Sequence, residues 1–366
     1  MNVCIVGDGL TSLSLAKILI KKKINVHIYH QKKNITLIPS RTIGITENNI
    51  SFLKKENFQF SKKYAWEIKR IEIYTEKLKS NKILNFENNN NKLFFMIKND
   101  EFYKKLNKQL IDSKFFKRIK IKNNNVYKKL LKNEKYDLII NCDTNNILSK
   151  KFFSKKINKD YDNLAYTTVI KHKKVANNIA TQIFTKSGPI AFLPISNSET
   201  SIVCSLDIKN RKYNDSEVLG LISKNNPKYQ IEKTNKLSSF KLSSSNLRSY
   251  HHQNILAFGD LLHRIHPLAG QGFNMTIRDI KVLSEIIQNK IDLGLQLDSS
   301  ILSEFEKEAK IKNFLFSNSI DFIYEIFNLD KKIESKGFNK ILKVIGKNKN
   351  LTNYFIKLAD EGLNFY

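Results

Sequence analysis

The chain has 366 residues, with 63 Lys and Arg against 34 Asp and Glu, giving a formal net charge of +29. At roughly 150 residues per domain this length predicts two to three domains, and 41% hydrophobic with 11% aromatic residues exclude global disorder. No apolar run reaches the roughly 18 to 20 residues of a membrane-spanning helix, no signal peptide is read at the N-terminus, and Cys4, Cys142 and Cys204 lie too far apart for a CxxC zinc site or a disulfide framework.

These features predict a reducing, cytoplasmic setting with no metal centre. Only seven of the 63 cations are Arg. The lysines run along the whole chain, so the charge reads as compositional drift, and no nucleic-acid motif accompanies it. Glycine is informative because it is scarce. Of 12 glycines, Gly7, Gly9, Gly259, Gly270 and Gly272 fall in two short segments.

In chain order, Val3 to Val6 is a short apolar run that stops at Gly7-Asp8-Gly9. Leu13, Leu15, Ile18, Leu19 and Ile20 follow at helical spacing, and residues 24–29 alternate as a second strand. This β–Gly-rich turn–α–β order opens a dinucleotide-binding unit. Gly7 permits the tight turn, Gly9 lets backbone approach a pyrophosphate at the helix N-terminus, and Ser12 is small enough for close helix–strand packing. An acid is expected about 20 residues on, to hold ribose hydroxyls. That place falls at His30, so the clamp is either missing or replaced by an imidazole nitrogen.

Residues 68–75 read as a strand with 82–87 as its partner, Asp100 to Leu110 as a helix, and Tyr136 to Asn141 as a short buried strand. The span 161–248 is mostly β, Ile255 to Phe258 is another buried strand, and helical patterning dominates from about 273. The segment Gly259-Asp260-Leu261-Leu262-His263-Arg264-Ile265-His266-Pro267-Leu268-Ala269-Gly270-Gln271-Gly272-Phe273-Asn274 carries the strongest signal. Asp260 at the end of a strand can accept hydrogen bonds from a polyol. Gly270-Gln271-Gly272 exposes N–H groups at a helix N-terminus, which favours an anion. His263 and His266 lack zinc-ligand spacing, and His266 reads as shaping the turn before Pro267 rather than as an acid or base.

The segment closely resembles the Gly-Asp signature of FAD-dependent aromatic monooxygenases, the class A flavoproteins. It is most similar to the ubiquinone-biosynthesis hydroxylase branch, whose pattern runs close to GDAAHxxHPLAGQGxNxxxRD. Asp260, His263, His266 to Gly272, Asn274, Arg278 and Asp279 match it. Arg41-Thr42-Ile43-Gly44-Ile45 resembles the family's Arg-bearing strand near FAD, Gly188 to Pro194 its substrate-sheet strand, and the helices from Phe305 onward its tail.

The resemblance implies an α/β fold, with a Rossmann-like FAD-binding domain interleaved with a mixed β-sheet substrate domain, plus C-terminal helices. The FAD-binding parts are 1–67, 99–160 and 249–295, the substrate parts 68–98 and 161–248, and the helical region 296–366. It further implies FAD as cofactor, NAD(P)H as electron donor, and hydroxylation of a polyprenylated phenol in ubiquinone biosynthesis through a flavin C4a-hydroperoxide. The alternative is a related FAD-binding oxidoreductase or an impaired flavoprotein acting as an assembly partner. Cofactor-binding residues would be Gly7, Gly9, Ser12, His30, Arg41, Asp143, Gly259, Asp260, Gly270, Gln271, Gly272 and Asn274, with the loop of Pro267, Gly270, Gln271 and Gly272 at the flavin edge.

In the family's Ala-Asp-Gly motif Thr144 replaces Gly, and a β-branched residue resists a left-handed conformation. Phe184, Ile190, Phe192 and Leu193 either line an apolar substrate entry or pack in a core. The tail from Gly337 to Tyr366, apolar among lysines, either closes the FAD domain or meets a membrane face or partner enzyme at the inner side of the membrane.

Overall fold

The computed structural model describes residues 1–31, 41–61, 64–76, 84–87, 92–132, 135–209, 211–266 and 270–332, with Lys357, Asp360 and Gly362. Pro267 and most of the 337–366 tail lie outside the described residues. In chain order the elements are β1 (Asn2–Val6), α1 (Leu10–Lys21), β2 (Asn25–His30), β3 (Thr42–Thr46), α2 (Glu47–Lys55), β4 (Trp66–Ile68), β5 (Arg70–Thr75), β6 (Leu84–Glu87), β7 (Phe94–Lys98), α3 (Asn99–Ile111), β8 (Phe116–Lys120), α4 (Asn125–Lys132), β9 (Leu138–Asn141) and α5 (Ile147–Phe152). Then follow β10 (Lys156–His172), β11 (Ile179–Thr185), β12 (Gly188–Pro194), β13 (Glu199–Asp207), α6 (Asp215–Lys224), β14 (Ile231–Thr234), β15 (Ser238–Leu247), β16 (His251–His252), β17 (Ile255–Ala257), β18 (His263–Arg264), α7 (Gln271–Asp292) and α8 (Ser300–Lys332).

Among the described residues these form three sheets. The first has the order β16-β17-β9-β1-β2-β8. Its core strands run parallel, with Ile5 opposite Ile140, Ile140 opposite Leu256, and Val3 opposite Val26. A central parallel strand is covered on both faces, so it is apolar throughout. Leu138, Ile139 and Ile140 accordingly have no exposed surface. The helix α1 packs on this sheet and α7 packs beside α1; Leu13, Leu15, Ile18 and Leu19 of the first and Ile277, Ile280 and Leu283 of the second are all fully buried in one core.

The second sheet runs β18-β15-β10-β13-β12-β11-β5-β6, with β14 beside β10. Strand β10 is continuous from Lys156 to His172, so it passes through the 160/161 boundary expected from sequence. Its register shifts between Asp160 and Asn163. The third sheet has the order β3-β7-β4 and is tied to the second. The Thr42 hydroxyl donates to Ser201 Oγ at 2.8 Å, and Lys98 Nζ donates to Glu199 at 2.8 Å.

The alternation along β12 sorts the predicted entry residues. Ile190 and Phe192 are fully buried and pack with Val218 and Ile222 of α6 on the far side of the sheet. They are core residues and not an entry, because the period of two turns them away from β3. Leu193 falls on the opposite face, packed with Trp66, Ile68 and Met96. Phe184 follows Ile183, a member of the α6 cluster, and so shares the Leu193 face. On that face Thr167, Val203, Ala191 and Gln182 lie in register across four strands and are half-buried.

Candidate flavin site and the ring above it

The N-termini of α1 and α7 carry neither a side-chain cap nor a first-turn acid. The helices α2, α3 and α6, by contrast, carry Glu47, Asp100 with Glu101, and Asp215 with Glu217 in their first turns. At the N-caps of α1 and α7 stand Gly9 and Gly270. Four backbone N–H groups at each end are therefore left for an anion. A Cβ on Gly9 or Gly272 would meet nothing within 4 Å, so both approaches are open. This pair of open, uncapped termini fits FAD, which needs a pyrophosphate site and a partner for the negative charge of its reduced ring.

The two signatures touch. Gly259 has φ +62, and a Cβ there would lie 2.8 Å from Thr11 Cγ2 on α1. The strand end that presents Asp260 is thus seated directly on the first helix. Gly259→Ala should cost about 1–2 kcal/mol from the left-handed backbone and weaken FAD binding by pushing α1 away. A Thr11→Ser background should recover the steric share only. Urea unfolding and FAD titration check this, and a Gly259→Ala protein matching wild type in both would contradict it.

The remaining residues fall into place around this contact. Gly7 closes β1 with φ +114 and donates to Tyr29 O at 2.9 Å. Ser12 is fully buried, so it serves packing beneath the turn, and its hydroxyl lies near enough to the Cys142 sulfur to favour the thiolate. Burial pushes that thiol up to about 12, with Asp143 and Asp260 adding to the shift. Both carboxylates therefore sit close to Cys142, at the strand ends. Asp143 accepts from Asn145 N at 2.9 Å, and Asp260 is exposed. His30 ends β2 near enough to Asp8 to favour its charged form. Arg41 is exposed just before β3, where its carbonyl accepts from Asn99 N at 3.0 Å. Thr144 is absent from the non-glycine residues with positive φ, which are Lys23, Asn57, Asp162 and Gln253. The loop does not need a left-handed residue there, and the strain expected from sequence does not arise.

At the other end, Gly270 takes φ +67 and lies against Gly44 of β3, whose N would be 3.7 Å from an added Cβ. Gln271 is 4% exposed, with Oε1 lacking a protein partner. Asn274 departs from its expected role. Its Nδ2 donates to Gly44 O at 2.9 Å and Gly270 O at 3.4 Å, while Oδ1 accepts from Thr46 N at 3.0 Å and Asn49 Nδ2 at 2.9 Å. Both protons and both lone pairs are spent within the protein. It positions the loop, and has nothing left for a ligand.

Sequence reasoning missed two further supports. His263 is paired with Asp279, both nearly without exposed surface, and Asn313 of α8 donates to the same carboxylate at 2.8 Å. The pair ties the strand β18 to α7. His266 lies between the rings of Tyr161 and Tyr324, at centroid distances of 4.7 and 4.2 Å. It is 1% exposed, and neither ring nitrogen has a hydrogen-bond partner. Burial, with Lys159 nearby, lowers it to about 3, so the imidazole is neutral. The two tyrosines come from β10 and α8, far from His266 in sequence.

Among the described residues no group of His, Cys, Asp and Glu is arranged to hold a metal, and no helix is long and apolar enough to cross a membrane.

Comparison with known proteins agrees with this geometry. The FAD binding domain family matches residues 146–308. The solved p-nitrophenol 4-monooxygenase of Pseudomonas putida superposes with a TM-score of 0.77 at 11% identity, covering 99% of this chain and 98% of that one. The Klebsiella pneumoniae HpxO complexed with FAD gives 0.75 at 12%, covering 99% of each. Domain, relatives and fold are together similar to those of FAD-dependent monooxygenases. By sequence the chain is similar to ubiquinone hydroxylases. It is 23% identical to the mitochondrial ubiquinone biosynthesis monooxygenase COQ6 of Dictyostelium discoideum, over 88% of this chain and 81% of that one. It is also 29% identical to the 3-demethoxyubiquinol 3-hydroxylase of Escherichia coli, over 40% of this chain and 39% of that one.

Proposed function

We propose that the protein hydroxylates the aromatic ring of a polyprenylated phenol in ubiquinone biosynthesis, with FAD as cofactor, NAD(P)H as electron donor and O2 as co-substrate. The observation that carries this reading is the pair of uncapped helix N-termini, at Gly9 and Gly270, the second of which lies against β3, the strand tied to the second sheet. The names of the relatives supply the substrate class. When bound, FAD supplies the electron transfer and oxygen activation, which no side chain can provide.

The protein's own part is binding, orientation and exclusion of water. The N-terminus of α1 would hold the pyrophosphate and Asp260 the polyol hydroxyls, and Gly270 to Gly272 would stabilise negative charge on the ring. The row Thr167, Val203, Ala191 and Gln182 is small enough to bed a planar ring, with Leu193 beside it as an apolar wall. Such a wall keeps water from the reacting oxygen, which would otherwise be wasted.

Purified protein should carry a flavin spectrum that bleaches anaerobically on NADH or NADPH once a phenolic substrate is present. Failure to bleach with either donor would sink the hydroxylase reading. Restoring quinone synthesis in bacterial strains that each lack one ring hydroxylation would identify the ring carbon.

A further inference from the structure

The turn that should receive the cofactor's pyrophosphate carries a carboxylate of its own. Asp8 stands between Gly7 and Gly9, and its side chain is only 13% exposed. It sits at the uncapped start of α1, where the backbone recruits an anion. A fixed negative charge there opposes a diphosphate, since like charges in one partly buried site disfavour each other. The structure shows what offsets it. Arg118, on β8 beyond β2, donates from Nη2 to Asp8 Oδ1 at 2.5 Å and to the Tyr103 hydroxyl of α3 at 3.3 Å. Burial pushes the Asp8 carboxyl up, while Arg118 and then His30 favour its charged form.

We infer that Arg118 is the counter-ion that lets the Gly7-Asp8-Gly9 turn accept the pyrophosphate of FAD, acting through Asp8 and not on the phosphate itself. Arg118 is thus a positioning residue for cofactor affinity. This rests on the reading of the site as an FAD site. The ion pair crosses from the first strand–helix unit to a strand 110 residues away, so α3 and β8 become part of the cofactor's binding energy without touching it.

A double-mutant cycle tests the idea, read as the FAD dissociation constant from quenching of flavin fluorescence by apoprotein, with each apoprotein's thermal midpoint recorded. Arg118→Met should weaken FAD binding about tenfold or more, because it leaves Asp8 uncompensated in a partly buried turn. Asp8→Asn combined with Arg118→Met should return affinity to within about threefold of wild type, as expected for two residues coupled to each other. Arg118→Lys, which keeps the charge, should stay near wild type. A double variant as weak as Arg118→Met would overturn the inference and assign Arg118 to direct phosphate contact. Wild-type affinity in Arg118→Met would also overturn it. Should Arg118→Met not fold, Asp8→Asn alone decides: it should bind FAD at least as tightly as wild type, and weaker binding refutes the proposal. A wild-type protein that takes up no FAD would instead refute the cofactor reading itself.

Discussion

His266→Phe should flatten the acid limb of the protein's stability. In the folded chain His266 titrates at about 3, against an ordinary value of 6.5, because burial between Tyr161 and Tyr324 disfavours the imidazolium. Below pH 6.5 the unfolded chain therefore binds a proton that the folded chain refuses. Stability present at pH 7 is lost as pH falls from 6.5 towards 3, at up to about 1.4 kcal/mol per pH unit from this one group. Phenylalanine keeps the ring between the two tyrosines and removes the proton site. Above pH 7 the variant should be as stable as wild type or more so, since a buried imidazole without partners is itself costly. Urea midpoints of both proteins from pH 7 to pH 4 check this. The gap should widen steadily towards acid, and a constant offset would contradict the argument.

Asn274→Ala should cost about 3 kcal/mol or more, because removing one partner leaves buried groups unsatisfied. Thr46 and Asn49 are 3% and 5% exposed, and both lose their acceptor. The Gly44 carbonyl loses its donor. FAD affinity should fall as well, since Asn274 ties Gly270 to Gly44 and so sets the entry of α7. Asn274→Asp, which keeps the acceptor and loses the donors, should fall between alanine and wild type. Unfolding within 1 kcal/mol of wild type (below the ordinary cost of leaving a buried group unpaired), together with unchanged FAD titration, would show that the loop is held by other contacts.

Local pattern made much of the fold legible. The run Val3 to Val6, the helical spacing from Leu13 and the alternation to Tyr29 correspond to β1, α1 and β2, and Asp100 to Leu110 lies within α3. The glycines and Asp260 were readable because backbone geometry at a turn limits the residue type. The partners of those residues were not readable. Arg118 meets Asp8, Tyr324 meets His266 and Asn313 meets Asp279 only once strands and helices distant in sequence have packed. The helix α6 was hidden inside a span that read as β, although Asn214 and Glu217 form a capping box at its start. The side of the sheet served by β12 was equally hidden. Alternation shows that Ile190 and Leu193 differ in face, but not which face looks towards the cofactor.

The first sheet also fixes when the protein can fold. Its central strand β9 lies between β1, which begins at Asn2, and β17, which ends at Ala257. At about 5–20 residues per second, a ribosome needs some tens of seconds between making the first of these strands and the last. From the synthesis of β9 until β17 emerges, Leu138 to Ile140 have an unpaired edge, and the substrate sheet must form as an insertion in an unfinished nucleotide fold. Chains stalled before residue 250 should therefore be chaperone clients, and flavin uptake should come after synthesis of the Gly259-Asp260 segment, however early the Gly7 turn emerges.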